Sequence, residues 1–236
     1  MDLIDSKENK LVFRADIEDS LANAIRRYFN QIPILAIDEV EILKNGSALY
    51  DEVVAHRLGL VPIKADKISS KGGQLKLVSK KEGFVNSSEL NGNVDVVYEN
   101  IPITFLDKGQ ELELSASVSL GTGSEHVKFS PGLMFYRNVN EITLDKEFLE
   151  DVKKACPNAN IQEKGDKIIV IDNKAKEISD VCEGICERAG KEPEIKAEKE
   201  LILSVESFGQ MSAKDIFKKS IEALKKDLTE VSKKVK

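Results

Sequence analysis

The sequence has no tryptophan, few other aromatic residues (6% in all), two histidines and three cysteines. The scarcity of aromatic rings leaves little material for stacking nucleic-acid bases. A small, odd number of cysteines argues against a disulfide framework and favours a reducing compartment. The net charge of −6 argues against a protein whose main task is to grip phosphates. We therefore expect no direct, sequence-specific contact with nucleic acid.

Long apolar runs are also missing. No run approaches the roughly 18 apolar residues of a membrane-spanning helix. The acidic N-terminus (Met1-Asp-Leu-Ile-Asp) lacks a signal-peptide pattern. With 41% hydrophobic and 32% charged residues, the 236-residue chain can bury a substantial core. We expect a cytoplasmic protein that has no membrane partner.

The sequence shows no recognisable catalytic constellation. It has no Asp-rich triad for two-metal phosphoryl transfer, and no nucleophile stands beside a histidine at a known spacing. The loop at Gly121-Thr-Gly123 resembles a dinucleotide-binding loop only in part, because the third glycine position of that pattern falls at His126. His56 and His126 are expected to be hydrogen-bonded structural histidines. The chain by itself is therefore predicted not to be a catalyst.

The first clear helix is predicted after Asp16 or Asp19, either of which can serve as N-cap, and it cannot continue through Pro33. Its other face carries Arg26 and Arg27, two permanent cations without a local counter-charge. Apolar residues recur with the spacing of one buried helical face at Leu21, Ala24, Ile25, Tyr28 and Phe29.

A second helical pattern occupies the last thirty residues. Its apolar positions repeat at spacings of 4, 3, 4, 3 and 4, which is typical of a narrow seam between two helices. Packing against the first helix of the same chain is the alternative, and both can hold. The seam residues are Phe217, Ile221, Leu224, Leu228, Val231 and Val235.

Between these helices the pattern alternates between strand and helix. Strands are predicted over 10–17 and 34–43, a short helix over 49–60, and mainly β structure from 70 to 142, clearest in the alternation of Leu112 to Leu120. A Lys/Glu-rich part follows, with helices over 146–155 and 174–189, a strand over 167–171 and a charged connector over 191–200. A strand over 201–208 leads to the last helix. Because both ends have apolar faces too exposed to stand alone, we predict that the two ends form one domain into which the middle is inserted.

Four segments of the chain carry a family resemblance. The segments are Ser20-Leu-Ala-Asn-Ala-Ile-Arg-Arg27, Ala55-His-Arg-Leu-Gly-Leu-Val-Pro-Ile63, Gly121-Thr-Gly-Ser-Glu-His-Val-Lys-Phe-Ser-Pro131 and Ser204-Val-Glu-Ser-Phe-Gly-Gln-Met-Ser-Ala213. They are similar, in the same order, to motifs of the α-like subunits of RNA polymerase, the family of the bacterial α subunit and its archaeal and eukaryotic relatives. Together with the chain length and the cysteine-bearing insert, they resemble the archaeal branch, known as the D subunits.

The resemblance implies an α+β fold in three parts. These are a discontinuous dimerisation domain (1–45 plus 198–236), an inserted β-rich domain (46–142) and a small ferredoxin-like module nested in the insert (143–197). It also implies a non-catalytic assembly subunit of DNA-directed RNA polymerase. The enzymatic activity would belong to the complex, and this chain would carry no catalytic residues. The implied partners are subunit L as heterodimer partner, the large B subunit, and the small subunits N and P.

The resemblance assigns interface residues as well. The first helix and the seam would form the dimer interface, and in the family the arginine pair meets the second-largest subunit. Arginine suits that contact because its planar fork binds carboxylates in a bidentate manner. The alternative for Arg26 and Arg27 is a pair of solvated surface residues. A contact loop for the large subunits is implied at Glu125, His126, Lys128 and Phe129.

The three cysteines raise a different possibility. Relatives carry iron–sulfur clusters in the third module, with the ferredoxin spacing C-x2-C-x2-C-x3-C-P. With Cys182 and Cys186 as the last two ligands, the earlier positions are Lys176 and Ser179. With Cys186 as third ligand, the others fall at Asp180, Glu183 and Gly190. We therefore expect the module to have lost its cluster and no cofactor to be bound. Burial as small hydrophobic residues, or oxidation of a cysteine pair, would account for Cys156 and Cys182. An iron–sulfur redox or electron-transfer protein is the alternative function.

Overall fold

The computed structural model describes residues 2–64, 72–157, 159–171 and 178–235. The described residues combine helices with antiparallel sheets, which confirms the predicted mixture of helix and strand. The helices are α1 (Asp19–Tyr28), α2 (Asp51–Gly59), α3 (Leu149–Ala155), α4 (Ser179–Glu187) and α5 (Ala213–Lys234). The strands are β1 (Asp2–Lys7), β2 (Lys10–Ala15), β3 (Ile34–Asn45), β4 (Gly73–Ser79), β5 (Gly83–Asn86), β6 (Asn91–Gly92), β7 (Pro102–Leu106), β8 (Leu112–Gly121), β9 (Gly132–Asp145), β10 (Asn160–Lys164), β11 (Lys167–Ile171) and β12 (Glu194–Ser207).

The chain forms two compact units, and both are discontinuous. The first contains residues 1–6, 11–23 and 134–204, and the second contains 7–10, 24–133 and 205–236. This division differs from the three predicted parts, since β9 runs unbroken through the predicted boundary at 142 and β12 through the one at 197. Strands β9 and β12 continue through these two boundaries because hydrogen bonds to neighbouring strands hold them in the sheet.

The first unit is built on a six-stranded sheet with the order β1-β2-β12-β9-β11-β10. Alternate residues of β9 and β11 are buried, and Ile142 stands opposite Val170 while Leu144 stands opposite Ile168. Helices α3 and α4 add the remaining side chains of one core, among them Phe148, Val152, Ile178, Cys182 and Cys186. The predicted helix over 174–189 lies partly outside the described residues; its described part begins at Ser179.

The charged connector predicted over 191–200 is wrong from Glu194 onward, because that stretch is the first half of strand β12. The strand lies between β2 and β9 in the sheet and is hydrogen-bonded to both neighbours. Its charged side chains stay at the surface or pair across the sheet, as Glu200 does with Arg14. Backbone pairing, not side-chain hydrophobicity, makes this stretch a strand.

The second unit contains a sheet with the order β3-β8-β4-β6 and a two-stranded sheet of β5 and β7. Strand β8 has the predicted alternation, with Leu112, Leu114, Ala116 and Val118 all buried. Leu120, predicted on the same face, is exposed. Helix α2 covers the sheet with Val54 and Leu58, and these residues belong to one continuous core.

Candidate subunit interface

Helix α1 begins at Asp19, an acidic residue that is favourable in the first turn of a helix. A 3-10 turn, Phe29–Gln31, follows it before Pro33. The predicted apolar face is right at Ile25 and Phe29, which are buried, and wrong at Leu21, which is exposed while Ala22 is buried in its place. Ala24 and Tyr28 are half-buried. The positions 22, 25 and 29 follow the i, i+3, i+7 spacing of the face that meets the core, and Leu21 lies at its edge. Arg26 and Arg27 are exposed, as predicted.

Helix α5 is capped by Ser212. The Ser212 hydroxyl oxygen accepts a hydrogen bond from the Asp215 backbone N–H at 3.1 Å. The residues that α5 buries are Ala213, Ile216 and Ser220. The Ser220 hydroxyl donates to the Phe217 carbonyl oxygen at 2.7 Å, which satisfies this buried polar group.

The predicted seam lies beside that buried face and becomes more exposed towards the C-terminus. Phe217, Ile221 and Leu224 are half-buried. Further along, the exposed fractions are 60% for Leu228, 57% for Val231 and 82% for Val235. The described residues therefore cover the first half of the seam and leave three large apolar side chains of the second half in solvent.

Helices α1 and α5 meet in the second unit. The Tyr28 hydroxyl donates a hydrogen bond to Asp227 Oδ2 at 3.0 Å, and this carboxylate raises the pKa of Tyr28 above its ordinary value. Helix α5 also packs against the 3-10 turn that follows α1. The structure therefore shows packing of α5 on the end of α1 within the chain, and it leaves the last three seam residues uncovered.

The loop between β8 and β9 is held from within by two of the residues predicted to contact large subunits. Phe129 is buried, and its ring occupies the space that a Cβ at Gly121 would need. Lys128 Nζ lies 2.5 Å from Asp38 Oδ1 and 5.1 Å from the centre of the Phe129 ring. The Lys128 ammonium, aided by the Ser119 hydroxyl, holds the pKa of Asp38 below its usual value. Lys128 and Phe129 therefore support the loop instead of forming its outer surface.

The outer surface of the loop is formed by Glu125, His126 and Val127, which are exposed. The Glu125 carboxylate accepts a hydrogen bond from the Thr122 backbone N–H at 2.9 Å. His126 Nδ1 accepts one from the Lys128 backbone N–H at 3.2 Å, in line with the expected structural role. The other histidine, His56, is exposed on α2.

Asn30 joins this loop to the end of α1, a link that sequence reasoning missed. Its carbonyl oxygen accepts hydrogen bonds from the backbone N–H and the hydroxyl of Ser124, both at 3.1 Å. The one trace of this link in the sequence is the glycine at position 123, because a Cβ there would lie only 2.8 Å from Asn30 Oδ1. Beside this junction lies a cavity of about 590 Å³ that contains the arginine pair and, from the loop, Ser124 but none of the predicted contact residues; it is lined by Ala24, Arg26, Arg27, Tyr28, Asn30, Gln31 and Ser124.

The cysteines lie in the first unit. Cys182 and Cys186 are buried in its apolar core, and burial raises the pKa of the Cys186 thiol. Cys156 is half-buried against the same core. Of the earlier candidate ligand positions, Lys176 lies outside the described residues and Ser179 donates no thiolate. Among the described residues, no group of three or more His, Cys, Asp or Glu side chains is arranged to hold a metal ion.

A bilayer crossing needs about 20 consecutive apolar residues. Within the part of the chain that the structure describes, none of the helices combines that length with that hydropathy.

Comparison with known proteins agrees with the architecture of α1 and α5. The family model of the RNA polymerase Rpb3/Rpb11 dimerisation domain matches residues 12–228. The chain is 31% identical to DNA-directed RNA polymerase subunit Rpo3 of Archaeoglobus fulgidus, with 99% of this chain and 96% of the relative covered. It is 34% identical to the Rpo3 subunit of Methanosphaera stadtmanae (72% and 73% covered) and 32% identical to that of Thermococcus kodakarensis (67% and 68% covered).

Rpo3 is the archaeal equivalent of the D subunit, so these relatives confirm the resemblance to the archaeal branch. Neither their names nor the packing of the cysteines supports the iron–sulfur alternative. The match also spans both discontinuous units, from β2 to the exposed half of α5. The chain therefore belongs to the family of RNA polymerase subunits with the Rpb3/Rpb11 dimerisation domain.

Proposed function

We propose that this chain is a non-catalytic assembly subunit of an archaeal DNA-directed RNA polymerase that heterodimerises with subunit L. The observation that carries the proposal is the uncovered half of the α5 seam. Three large aliphatic side chains on one helical face remain in solvent, whereas the earlier seam residues Phe217, Ile221 and Leu224 are half-buried. A regular apolar stripe of this kind is typical of a helix that is completed by another helix.

The energy available at the seam supports a stable heterodimer. Full burial of a large aliphatic side chain contributes about 1.5–3 kcal/mol. Leu228, Val231 and Val235 still expose more than half of their surface, and the half-buried Leu224 and Ile221 extend the same face. Contributions of that size from several residues, together with those from the partner's own helix, are sufficient for an obligate interface.

The junction of α1 with the loop at Asn30 is proposed as the surface that receives the large B subunit. Two exposed guanidinium groups and the exposed Glu125 and His126 form this surface. Arginine pairs suit the carboxylates of a protein partner because each guanidinium can donate two parallel hydrogen bonds. The small subunits N and P would join the same assembly in the cytoplasm. Nucleotidyl transfer and DNA contact would then belong to the other subunits.

The part of the first unit that contains α3, β10, β11 and α4 is proposed to be a ferredoxin-like module that no longer binds a cluster. Two helices and a hairpin enclose an apolar core, as such a module requires. The two buried cysteines serve that core as small hydrophobic residues. The module would then contribute stability and surface to the polymerase, without a redox function.

Co-expression with subunit L of the same organism tests the proposed function. We expect a heterodimer with one copy of each chain, measured by sedimentation velocity and by native mass spectrometry. The isolated chain should self-associate or bind hydrophobic dyes through the open seam. A well-behaved monomer that ignores subunit L at micromolar concentration would overturn the proposal.

A further inference from the structure

A row of lysines follows one border of the α5 seam. Phe217 and Val235 point in the same direction, because the residues between them make about five full turns of the helix, and this direction marks the centre of the seam. Since each helical residue advances by about 100°, Lys214, Lys218 and Lys225 lie about 60–100° to one side of it. We call these three residues the lysine row. All three are exposed.

The other border of the seam is occupied by the chain's own core. The buried residues Ala213, Ile216 and Ser220 lie about 40–100° from the centre of the seam, on the side opposite to the lysine row. Asp227, which accepts the hydrogen bond from Tyr28, lies on the same side as these buried residues. A helix placed on the seam would therefore meet the second unit along one border and the lysine row along the other.

The lysine row is not neutralised within the chain. None of the ion pairs among the described residues includes a lysine of α5. Glu222 lies within one helical turn of Lys218 and Lys225 and is exposed, but it forms no ion pair with either. The Asp215 carboxylate accepts a hydrogen bond from the Ser212 hydroxyl at 2.7 Å. The whole chain has 41 acidic and 35 basic residues, so an uncompensated basic row departs from its average charge.

The far side of α5 shows what an ordinary solvated face looks like. There Lys219, Lys226 and Lys233 alternate with Glu222 and Glu230, so that both signs of charge are mixed. The border of the seam differs, because its three charged residues are all lysines. The methylene groups of a lysine can cover apolar surface while the ammonium stays in water. The lysine row therefore widens the apolar seam and adds a line of positive charge beside it.

A second copy of this chain is a poor match for such a seam. In an antiparallel pair of identical helices, a two-fold axis brings the same border of each helix together. The lysine row would then face the lysine row of the other copy, and like charges across an interface destabilise it. A helix with carboxylates along that border would be attracted instead. Charges that flank an apolar seam in this way select the partner and the register of the two helices.

We propose that the lysine row binds an acidic border of the helix with which subunit L covers the seam, with Asp or Glu side chains about one heptad apart opposite Lys218 and Lys225. This inference rests on the proposed function, because it takes subunit L to be the partner at the seam. It adds the feature that selects this partner. The apolar seam supplies affinity, and the lysine row disfavours a second copy and fixes the register.

The test compares two double variants of the full chain. The row variant, Lys218→Gln with Lys225→Gln, removes two charges beside the seam. The matched control, Lys219→Gln with Lys226→Gln, removes two exposed charges with the same spacing from the far side of the same helix. Glutamine and lysine have nearly equal helix propensities, so α5 should persist in both. Dissociation constants for subunit L are measured by isothermal titration calorimetry at about 50 mM and about 500 mM salt.

At low salt, the row variant should bind subunit L about three- to tenfold more weakly than the wild type, as expected for loss of two partly exposed ion pairs. The control should change the constant by no more than about twofold. At high salt, the difference between the row variant and the wild type should shrink, because salt screens exposed charges. Equal effects of the two double variants would show that only net charge matters, and would overturn the proposal.

A zero-length carbodiimide crosslinker identifies the partner's charges directly, because it joins an amine to a carboxylate that is in contact with it. In the heterodimer it should link Lys218 or Lys225 to an Asp or Glu of subunit L. Links to subunit L from the far-side lysines alone would contradict the proposal. A row variant that keeps its affinity for subunit L but loses affinity for a double-stranded DNA fragment would also overturn it, since the row would then be a nucleic-acid surface.

Failure of this inference can be told apart from failure of the proposed function. If the wild-type chain does not bind subunit L at either salt concentration, the proposed function is wrong. If the wild-type chain binds subunit L, and the row variant binds it equally tightly at both salt concentrations, only the role of the lysine row is wrong.

Discussion

Leu228→Asp tests whether the α5 seam is an interface. Leu228 is a suitable position because a substitution there should affect partner binding much more than the stability of the chain itself. Leu228 is 60% exposed on α5. Burial of that exposed part by a partner is worth about 1–2 kcal/mol, from the usual 1.5–3 kcal/mol for a whole leucine side chain. Loss of this contribution alone weakens the heterodimer about five- to thirtyfold, and burial of a carboxylate weakens it further. Titration of subunit L followed by sedimentation velocity measures the dissociation constant.

Leu43→Asp is the control for this experiment. Leu43 is 59% exposed on β3, so the chemical change and the initial exposure are nearly the same, but the residue lies outside the seam. Both variants should change the free energy of unfolding of the isolated chain by less than about 0.5 kcal/mol. Equal dissociation constants for the two variants would refute the assignment of the seam.

Three further results are expected. Arg27→Ala should leave the heterodimer with subunit L intact and weaken binding of the large subunit about tenfold or more, as expected for loss of a charge-assisted hydrogen bond; unchanged affinity would contradict this role. A thiol reagent should modify the half-buried Cys156 in the native chain and reach Cys182 and Cys186 only on unfolding, because both are buried; rapid reaction of all three, followed by mass spectrometry, would contradict the core assignment. The lowered pKa of Asp38 means that its ion pair stabilises the fold above about pH 4 and that this contribution is lost as the pH falls through the folded-state pKa. Chemical denaturation of Asp38→Asn should therefore show less loss of stability on acidification than the wild type, and equal acid sensitivity would contradict the pairing.

Side-chain periodicity predicted the parts of elements that keep one face against the core. The alternation in β8 identified the buried residues Leu112 to Val118, because this face meets the core as far as Val118, and it failed at the exposed Leu120. The helical spacing at the end of the chain predicted helix α5, since a spacing of three and four residues keeps side chains on one helical face. Neither pattern shows which other element, if any, covers that face.

The sequence did not predict which residues of a helix face the core, nor which distant residues become neighbours. Alanine packs in a core or at a surface, so the sequence did not show that Ala22 and not Leu21 points inward. The strand character of Glu194–Glu200 comes from neighbours in the sheet, and its charged side chains give no sign of them. The resemblance implied a contact loop that includes Lys128, and no local pattern showed that its ammonium pairs with Asp38, which is ninety residues away in the sequence.

The two halves of α5 link the fold of the chain to the presence of a partner. The first half is held by the buried residues Ala213, Ile216 and Ser220 and by the Ser212 cap, so it is stable within the second unit. The second half has the Tyr28–Asp227 hydrogen bond and exposed apolar side chains, which stabilise a helix only when another surface covers them. A partner that binds the folded helix and not the unfolded chain stabilises it in proportion to the logarithm of its concentration. If the proposed heterodimer forms, the stability of the second half of α5 should therefore rise with the concentration of subunit L, while that of the first half should not.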